Sequence, residues 1–378
     1  MSTKIVGTTI IGAGISGLAC AKKLQENNKD FLLISENIGG RILTSEDGNV
    51  NYGAFFVCSD YHHVSQFIKL GTRIRLRDFC FHENNDSFIL FEPKLISYSI
   101  QFLKILKILY KFRKTFRLLR KKTENISQKK AIENDSFLHS LYMKKATDLV
   151  KEYKLQTGTN TYLSKGLYST TFSTTKEMNA FSFLQFLLPL ITPIYTFKFE
   201  KEKMIKPFQN KIIIDHVTDI KIKNDHYRIK TKNKTFYAKN IVLATQINWS
   251  KRFAGVKKTN KPVSTHMLHI RGKPRDIIAY KRYQLFSTSS DIQSIADLQD
   301  GTYLIYYKKQ QPPLEKYFIK PQIITSHYWD PAGTINGHTL TECNRGKNMY
   351  LIGDYNVAGL EESCITGIYA ANQIIIKE

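Results

Sequence analysis

The chain has 378 residues, too many for one compact core and enough for two domains or one large domain with an insert. Hydrophobic residues make up 42% and charged ones 23%, with no long low-complexity tract, which excludes a disordered chain. Lys and Arg number 56 against 32 Asp and Glu, and the resulting net charge of +24 suits an anionic partner, but equally an AT-rich coding bias toward Lys, Ile and Asn.

The five cysteines, Cys20, Cys58, Cys80, Cys343 and Cys364, are scattered and form no Cys-x-x-Cys pair. They offer neither a disulfide framework nor a metal site, and they suit a reducing, cytoplasmic setting. Met1 to Gly7 does not read as a secretory signal, because glycine breaks its apolar run and no small-residue cleavage site follows. The most apolar stretch, residues 181–195, contains Gln185, Pro189 and Pro193 and is too short to span a membrane. It reads either as the wall of a greasy tunnel, as a segment dipping into a bilayer, or as plain core.

The first predicted strand, Thr8 to Ile11, runs into Gly12, Ala13, Gly14, Ile15, Ser16 and Gly17. A helix from Leu18 to Glu26 follows, then a strand from Phe31 to Ile34, then Glu36. This is the order and length of a βαβ dinucleotide fingerprint. Gly12 permits the tight turn, Gly14 lets a pyrophosphate approach the backbone, and Gly17 lets the helix lie close to the sheet. Free N–H groups at the helix start favour the phosphate charge. Glu36 can accept hydrogen bonds from ribose hydroxyls and disfavours a 2′-phosphate.

Gly39, Gly40 and Arg41 follow, and Asn51, Tyr52, Gly53 and Ala54 come soon after. The glycine pair and the arginine add backbone donors and a cation for a pyrophosphate. At this point the chain resembles the flavin-containing amine oxidase superfamily, which includes amine oxidases, renalase, protoporphyrinogen oxidase and the carotenoid desaturases. The resemblance rests on an acid, then Gly-Gly-Arg, then an Asp-x-Gly-Ala element in which Asn51 stands for the Asp. It implies FAD as cofactor and a GR-type α/β FAD-binding Rossmann-like domain beside a substrate-binding domain.

In the middle of the chain, residues 211–220, 227–229, 235–238 and 240–245 read as a β-meander returning to a buried strand. The resemblance places Val217 at the adenine. Near the end, Asn348 to Ile352 reads as a strand followed by Gly353 and Asp354. Glu361, Glu362, Ser363, Thr366 and Gly367 then lead into a helix over 368–374. This is similar to the superfamily's C-terminal flavin motif, with Ser363 in place of the usual Gly. It implies that Asp354 meets the ribityl chain or orders the diphosphate loop. It also implies that Thr366 belongs to the cofactor site and that amides near Glu361 and Glu362 meet the flavin N1–O2 edge, where a positive dipole end favours the reduced cofactor. Trp329 reads as a ring packed beside the isoalloxazine, as a wall of the substrate cavity, or as buried core.

The discontinuous FAD half is expected over 1–60, 205–255 and 336–378, and the substrate half over 61–204 and 256–335. Within the latter, residues 102–122 form a basic amphipathic helix. Ile105, Ile108, Leu109, Phe112, Phe116 and Leu119 share one face, and Lys107, Lys111, Lys114, Arg117 and Lys121 the other. Such a helix either lies on an anionic membrane or packs its apolar face on its own domain.

No acid, base or nucleophile is fixed by the sequence. His266, His269, Lys273, His327 and Tyr328 are candidates. The expected activity is FAD-dependent removal of a hydride from a C–H or C–N bond of a small amine or apolar substrate. The alternative is a non-catalytic or nucleic-acid-associated dinucleotide-binding protein, although no aromatic–basic interleaving points to nucleic acid.

Overall fold

The computed structural model describes residues 5–84, 86–279 and 281–377, so part of the stretch read as carrying no leader, residues 1–4, lies outside them. The N-terminal strand Ile5–Gly14 is buried on both faces from Thr8 to Ala13 and sits in the interior of a seven-stranded sheet. Across that sheet the order is Ile212–Ile214, Phe31–Gly39, Ile5–Gly14, Thr235–Leu243, His226–Thr231 and Val217–Lys223. Met349–Leu351 pairs in parallel with the C-terminal half of Thr235–Leu243. Ile10 lies opposite both Leu33 and Val242, all three fully buried.

Two local differences from the sequence reading have clear causes. Strand Phe31–Gly39 extends past Ile34, because after a register shift Ala13 pairs with Ile38 and Gly14 with Gly39. Glu36 therefore stands within the strand and not beyond it. Residues 235–243 form one strand where two were expected, since Thr235 to Ala238 pair with the hairpin and Tyr237 to Leu243 with Ile5–Gly14.

Helix Ile15–Glu26 begins directly at Gly14 and buries Ile15, Leu18, Ala19, Cys20 and Leu24 between the sheet and the C-terminal helix Leu360–Lys377. Full burial of a side chain such as Leu18 or Leu24 stabilises the fold by about 1.5–3 kcal/mol. Gly17 sets the distance. A Cβ there would stand 2.0 Å from the Gly12 carbonyl oxygen, so no other residue allows this helix to leave the strand so tightly.

A second seven-stranded sheet takes the order Phe318–Asn336, Lys261–Pro274, Thr302–Tyr307, Ile292–Asp297, Tyr283–Phe286, Phe79–Glu83 and Asp86–Ile89. Val57–Cys58, Ile194–Phe199 and Ile68–Ile74 make a small third sheet. The whole is an α/β Rossmann-like layer beside a second, mixed unit. Helix Ser99–Lys122 lays Ile105, Leu109, Phe112, Phe116 and Leu119 into the core of that unit, where Phe112 and Phe116 meet Phe181 edge to face. Its apolar stripe thus packs on its own domain. Among the described residues, no helix is long and apolar enough to cross a membrane.

Candidate functional site

One cavity of about 900 Å³ runs through the molecule. That lies at the upper end of ligand pockets, roughly 300–1,000 Å³. At one end it is lined by Gly12, Ala13, Gly14, Ile15, Ser16, Glu36, Gly39, Gly40 and Arg41, with Val217 beside them. Gly53, Ala54, Gly353 and Asp354 line it further along. Segments from both ends of the chain and from its middle therefore meet on one surface.

The helix start is open for an anion. Gly14 is the N-cap of Ile15–Glu26, in an extended conformation (φ −73°, ψ 176°), and no side chain caps the first-turn N–H groups. A Cβ at Gly14 would meet no atom within 4 Å, so it would project into open space. Uncapped amides at a helix start, beside an empty approach, form a phosphate cradle.

Arg41 and Asp354 lock the two chain ends together. Their bidentate pair has Arg41 Nη1 2.6 Å from Asp354 Oδ2 and Nη2 2.8 Å from Oδ1. Arg41 Nη1 also donates to the Ala332 carbonyl, and the Thr334 N–H donates to Asp354. Burial works to raise the Asp354 pKa, but the Arg41 guanidinium and the Thr334 N–H outweigh it and hold the carboxyl below its usual value. Asp354 thus holds Arg41 and the Thr334 backbone. Beside the glycine turn, Glu36 Oε1 lies 2.7 Å from His216 Nδ1, and Asp215 also lines the cavity. Neither His216 nor Asp215 was expected at the site; adjacency to Val217 is the signal that would have found them.

Four residues expected at the cofactor do not line the cavity, and each has another partner. Gly17 is packed against the Gly12 carbonyl. Glu361 accepts hydrogen bonds from the backbone N–H groups of His62, His63 and Val64, and so satisfies the start of the turn Val64–Phe67. Glu362 faces Arg120, with Oε1 2.7 Å from Nη2. Thr366 Oγ1 accepts from the Gly353 N–H and donates to the Ser363 carbonyl. The helix here spans Leu360–Lys377, eight residues longer at its start than expected, which turns Glu361 and Glu362 into its first turn. Gly359, Leu360 and Ser363 line the cavity instead. Asn51, in the place of an Asp, is buried and donates from Nδ2 to the Phe197 carbonyl.

The domain family described as NAD(P)-binding Rossmann-like domain matches residues 10–69. No curated protein sequence matches the chain. Among solved structures, a CLA-producing fatty acid isomerase from P. acnes superposes with a TM-score of 0.70 at 11% identity, over 98% of each chain. Putrescine oxidase bound to putrescine gives 0.70 at 11% identity, covering 99% of this chain and 100% of that one. Cyclohexylamine oxidase from Brevibacterium oxydans gives 0.62 at 13% identity, covering 99% and 98%. The chain has the fold of the flavin-dependent amine oxidases. Its uncapped helix start, its Gly14 opening and the Arg41 guanidinium suit the diphosphate of FAD.

Beyond the cradle, the amine oxidase fold here encloses an apolar chamber. Residues 74–102, 162–194 and 283–306 contribute to its wall, among them Phe79, Phe102, Tyr162, Phe172, Tyr283 and Tyr306, and none of their described lining residues carries a charged side chain. The stretch over 181–195 supplies Phe186, Leu188 and Pro189 to this wall. Trp329 lines the cavity as well, 7% exposed.

The catalytic candidates separate. His327 and Tyr328 line the cavity, and burial lowers the pKa of the His327 imidazole from its usual value. His266 stacks between Tyr307 and Tyr328, His269 is buried with its Nδ1 3.2 Å from the Tyr52 hydroxyl, and Lys273 is exposed on its strand. Those three do not line the cavity.

Proposed function

We propose that this protein is an FAD-dependent oxidoreductase that removes a hydride from a C–H bond of a neutral, lipophilic substrate. The observation that carries this reading is the continuity of a dinucleotide cradle with an aromatic-lined chamber to which residues 74–102, 162–194 and 283–306 bring no charged lining side chain; Arg120, which also lines the cavity, is paired with Glu362 and Asp60, and Asp330 lines it beside Trp329. When bound, FAD supplies the hydride acceptor and passes the electrons to O₂ or another acceptor. The amides of the first turn after Gly14 and the Arg41 guanidinium would hold its diphosphate, and Glu36 its ribose. Val217 would rest on the adenine. Residues 1–60, 205–255 and 336–378 form the FAD half in this reading, and 61–204 and 256–335 the substrate half.

The chamber residues position the substrate and keep out water. A buried, unpaired ammonium is costly, and no carboxylate on these wall segments offsets a cation, which favours a neutral substrate. Amines form the second reading, because Tyr283, Tyr306 and Phe172 are aromatic faces that can hold a cation. A peripheral position on a membrane belongs to the first reading, since a lipophile is held poorly by water.

Anaerobic mixing of the flavin-loaded protein with two compound panels decides between them. Neutral long-chain and polycyclic compounds are expected to bleach the visible flavin band, and alkylamines to leave it unchanged. Bleaching by amines alone would transfer the assignment to an amine oxidase.

A further inference from the structure

We propose that the outward face of helix Ser99–Lys122, with the segment leading into it, docks on an anionic lipid surface. Docking would bring the chamber to its lipophilic substrate, and in that respect it rests on the function proposed above. The helix has two working faces. Ile105, Leu109, Phe112 and Phe116 hold it to the protein. On the opposite side Ile100, Leu103, Lys107, Lys111, Lys114 and Leu118 follow one another at steps of three and four residues, so they form one continuous outward stripe. Every one of them is exposed.

The exposed apolar side chains are large. Phe91, Ile96, Ile100, Leu103, Tyr110 and Leu118 are between 52% and 76% exposed. A solvated helix face mixes charges of both signs, and a monomer rarely leaves such side chains clustered in water. Here the sequence from Pro93 to Thr123 contains no Asp or Glu, so the interleaved charges are all positive.

Charge and apolarity together select the partner. Ile100 and Leu103 can enter the acyl boundary while the neighbouring lysines reach anionic headgroups. Nucleic acid offers phosphates but no apolar layer for Ile100 and Leu103. A second copy of the chain would set lysine against lysine. The patch also adjoins the site, because Leu90 and Phe102 line the chamber and are the chain neighbours of Phe91 and Leu103.

The test is co-sedimentation of the whole protein with phosphatidylcholine vesicles, with and without phosphatidylserine. Binding is expected only where phosphatidylserine is present, and it should weaken as salt rises. Two variants, Ile100→Asp with Leu103→Asp, and Lys107→Glu with Lys111→Glu and Lys114→Glu, are each expected to reduce binding by about tenfold or more. Their unfolding midpoints should stay close to the wild type, since every altered side chain is exposed and the ring contact that Lys111 makes, with Nζ 4.3 Å from the Phe137 centroid, is weak at an exposed site. Equal binding to both vesicle types, no binding to either, or unchanged binding by the variants would overturn the proposal. So would a dimer that these variants dissociate, or retention on RNA, without vesicle binding. Vesicle binding by a protein that turns over no lipophile would leave the docking surface standing and remove the proposed substrate class.

Discussion

Gly14→Val is expected to fold with wild-type stability and to lose FAD. The reason is the unusual position of this residue. Its backbone, at φ −73° and ψ 176°, is open to any L-amino acid, and an added Cβ meets no atom within 4 Å. The fold therefore gives the side chain no reason to be absent. Only a ligand that approaches the first-turn amides would collide with it. Forcing the diphosphate away from those amides costs about 3 kcal/mol, or roughly a hundredfold in affinity. Gly17 provides the contrast, since its Cβ would overlap the Gly12 carbonyl at 2.0 Å, and substitution there should destabilise the protein with or without FAD. Thermal unfolding of the apo-protein and FAD titration of both variants separate the two effects. An unchanged FAD affinity in Gly14→Val would show that no diphosphate lies against this helix.

Arg120→Met is expected to give the largest loss of stability. Arg120 is 8% exposed and holds Glu362 at 2.7 Å, with Asp60 Oδ1 3.5 Å away on its other side. Asp60 has Arg113 and Arg117 as further neighbours, whereas Glu362 has Arg120. Removing one partner of a buried pair costs about 3–5 kcal/mol, because the remaining charge is stranded. The cost depends on pH in a defined direction. Burial already raises the Glu362 pKa, against the pull of Arg120, so the folded protein binds this proton more readily than the unfolded chain. The stability contributed by a raised carboxyl is fully present below the ordinary carboxylate pKa and is lost as pH rises through the folded value. The variant should therefore be weakest at neutral and alkaline pH and recover toward the wild type on acidification, as Glu362 becomes neutral. Denaturant unfolding at several pH values measures this. A deficit that grows on acidification would contradict the role given to Glu362.

The parts of this molecule that were legible in the sequence are those where backbone geometry limits the residue choice locally. Gly12, Gly14, Gly17 and Glu36 announce the cradle because strand, turn and helix are contiguous there. The C-terminal strand and helix were visible for the same reason, but the helix start was not. Gly367 looked like a boundary, yet it lies inside the helix, where a Cβ would come 2.0 Å from the Ser16 carbonyl. A glycine at a helix crossing and a glycine at a helix end read alike without the neighbour. The aim of the acids was also hidden. Successive residues on a helix point about 100° apart, so Glu361, Glu362 and Ser363 face different surroundings although they are adjacent. Only Ser363 reaches the cavity.

Arg120 shows the same limit from the basic side. It belongs to a helix rich in exposed lysines, but it lies one turn beyond Phe116 on the buried face, where Glu362 waits from the other end of the chain. The chamber was legible only in part: residues 181–195 and Trp329 offered a cavity wall as one of their readings and do line it, but the rest of its wall did not show. Phe55, Tyr162 and Tyr283 come together only through tertiary packing, and aromatic residues in core and in cavity walls have the same sequence pattern. The outward stripe from Ile100 to Leu118 was masked by the stronger apolar stripe on the same helix.

The visible absorption spectrum of the purified protein, followed by denaturation and identification of what is released, tests the central claim most directly. A flavin spectrum with FAD released is the predicted result, as is its restoration when FAD is added to stripped protein. A folded protein that is colourless and takes up no added FAD would contradict the assignment of the cavity and of the activity built on it.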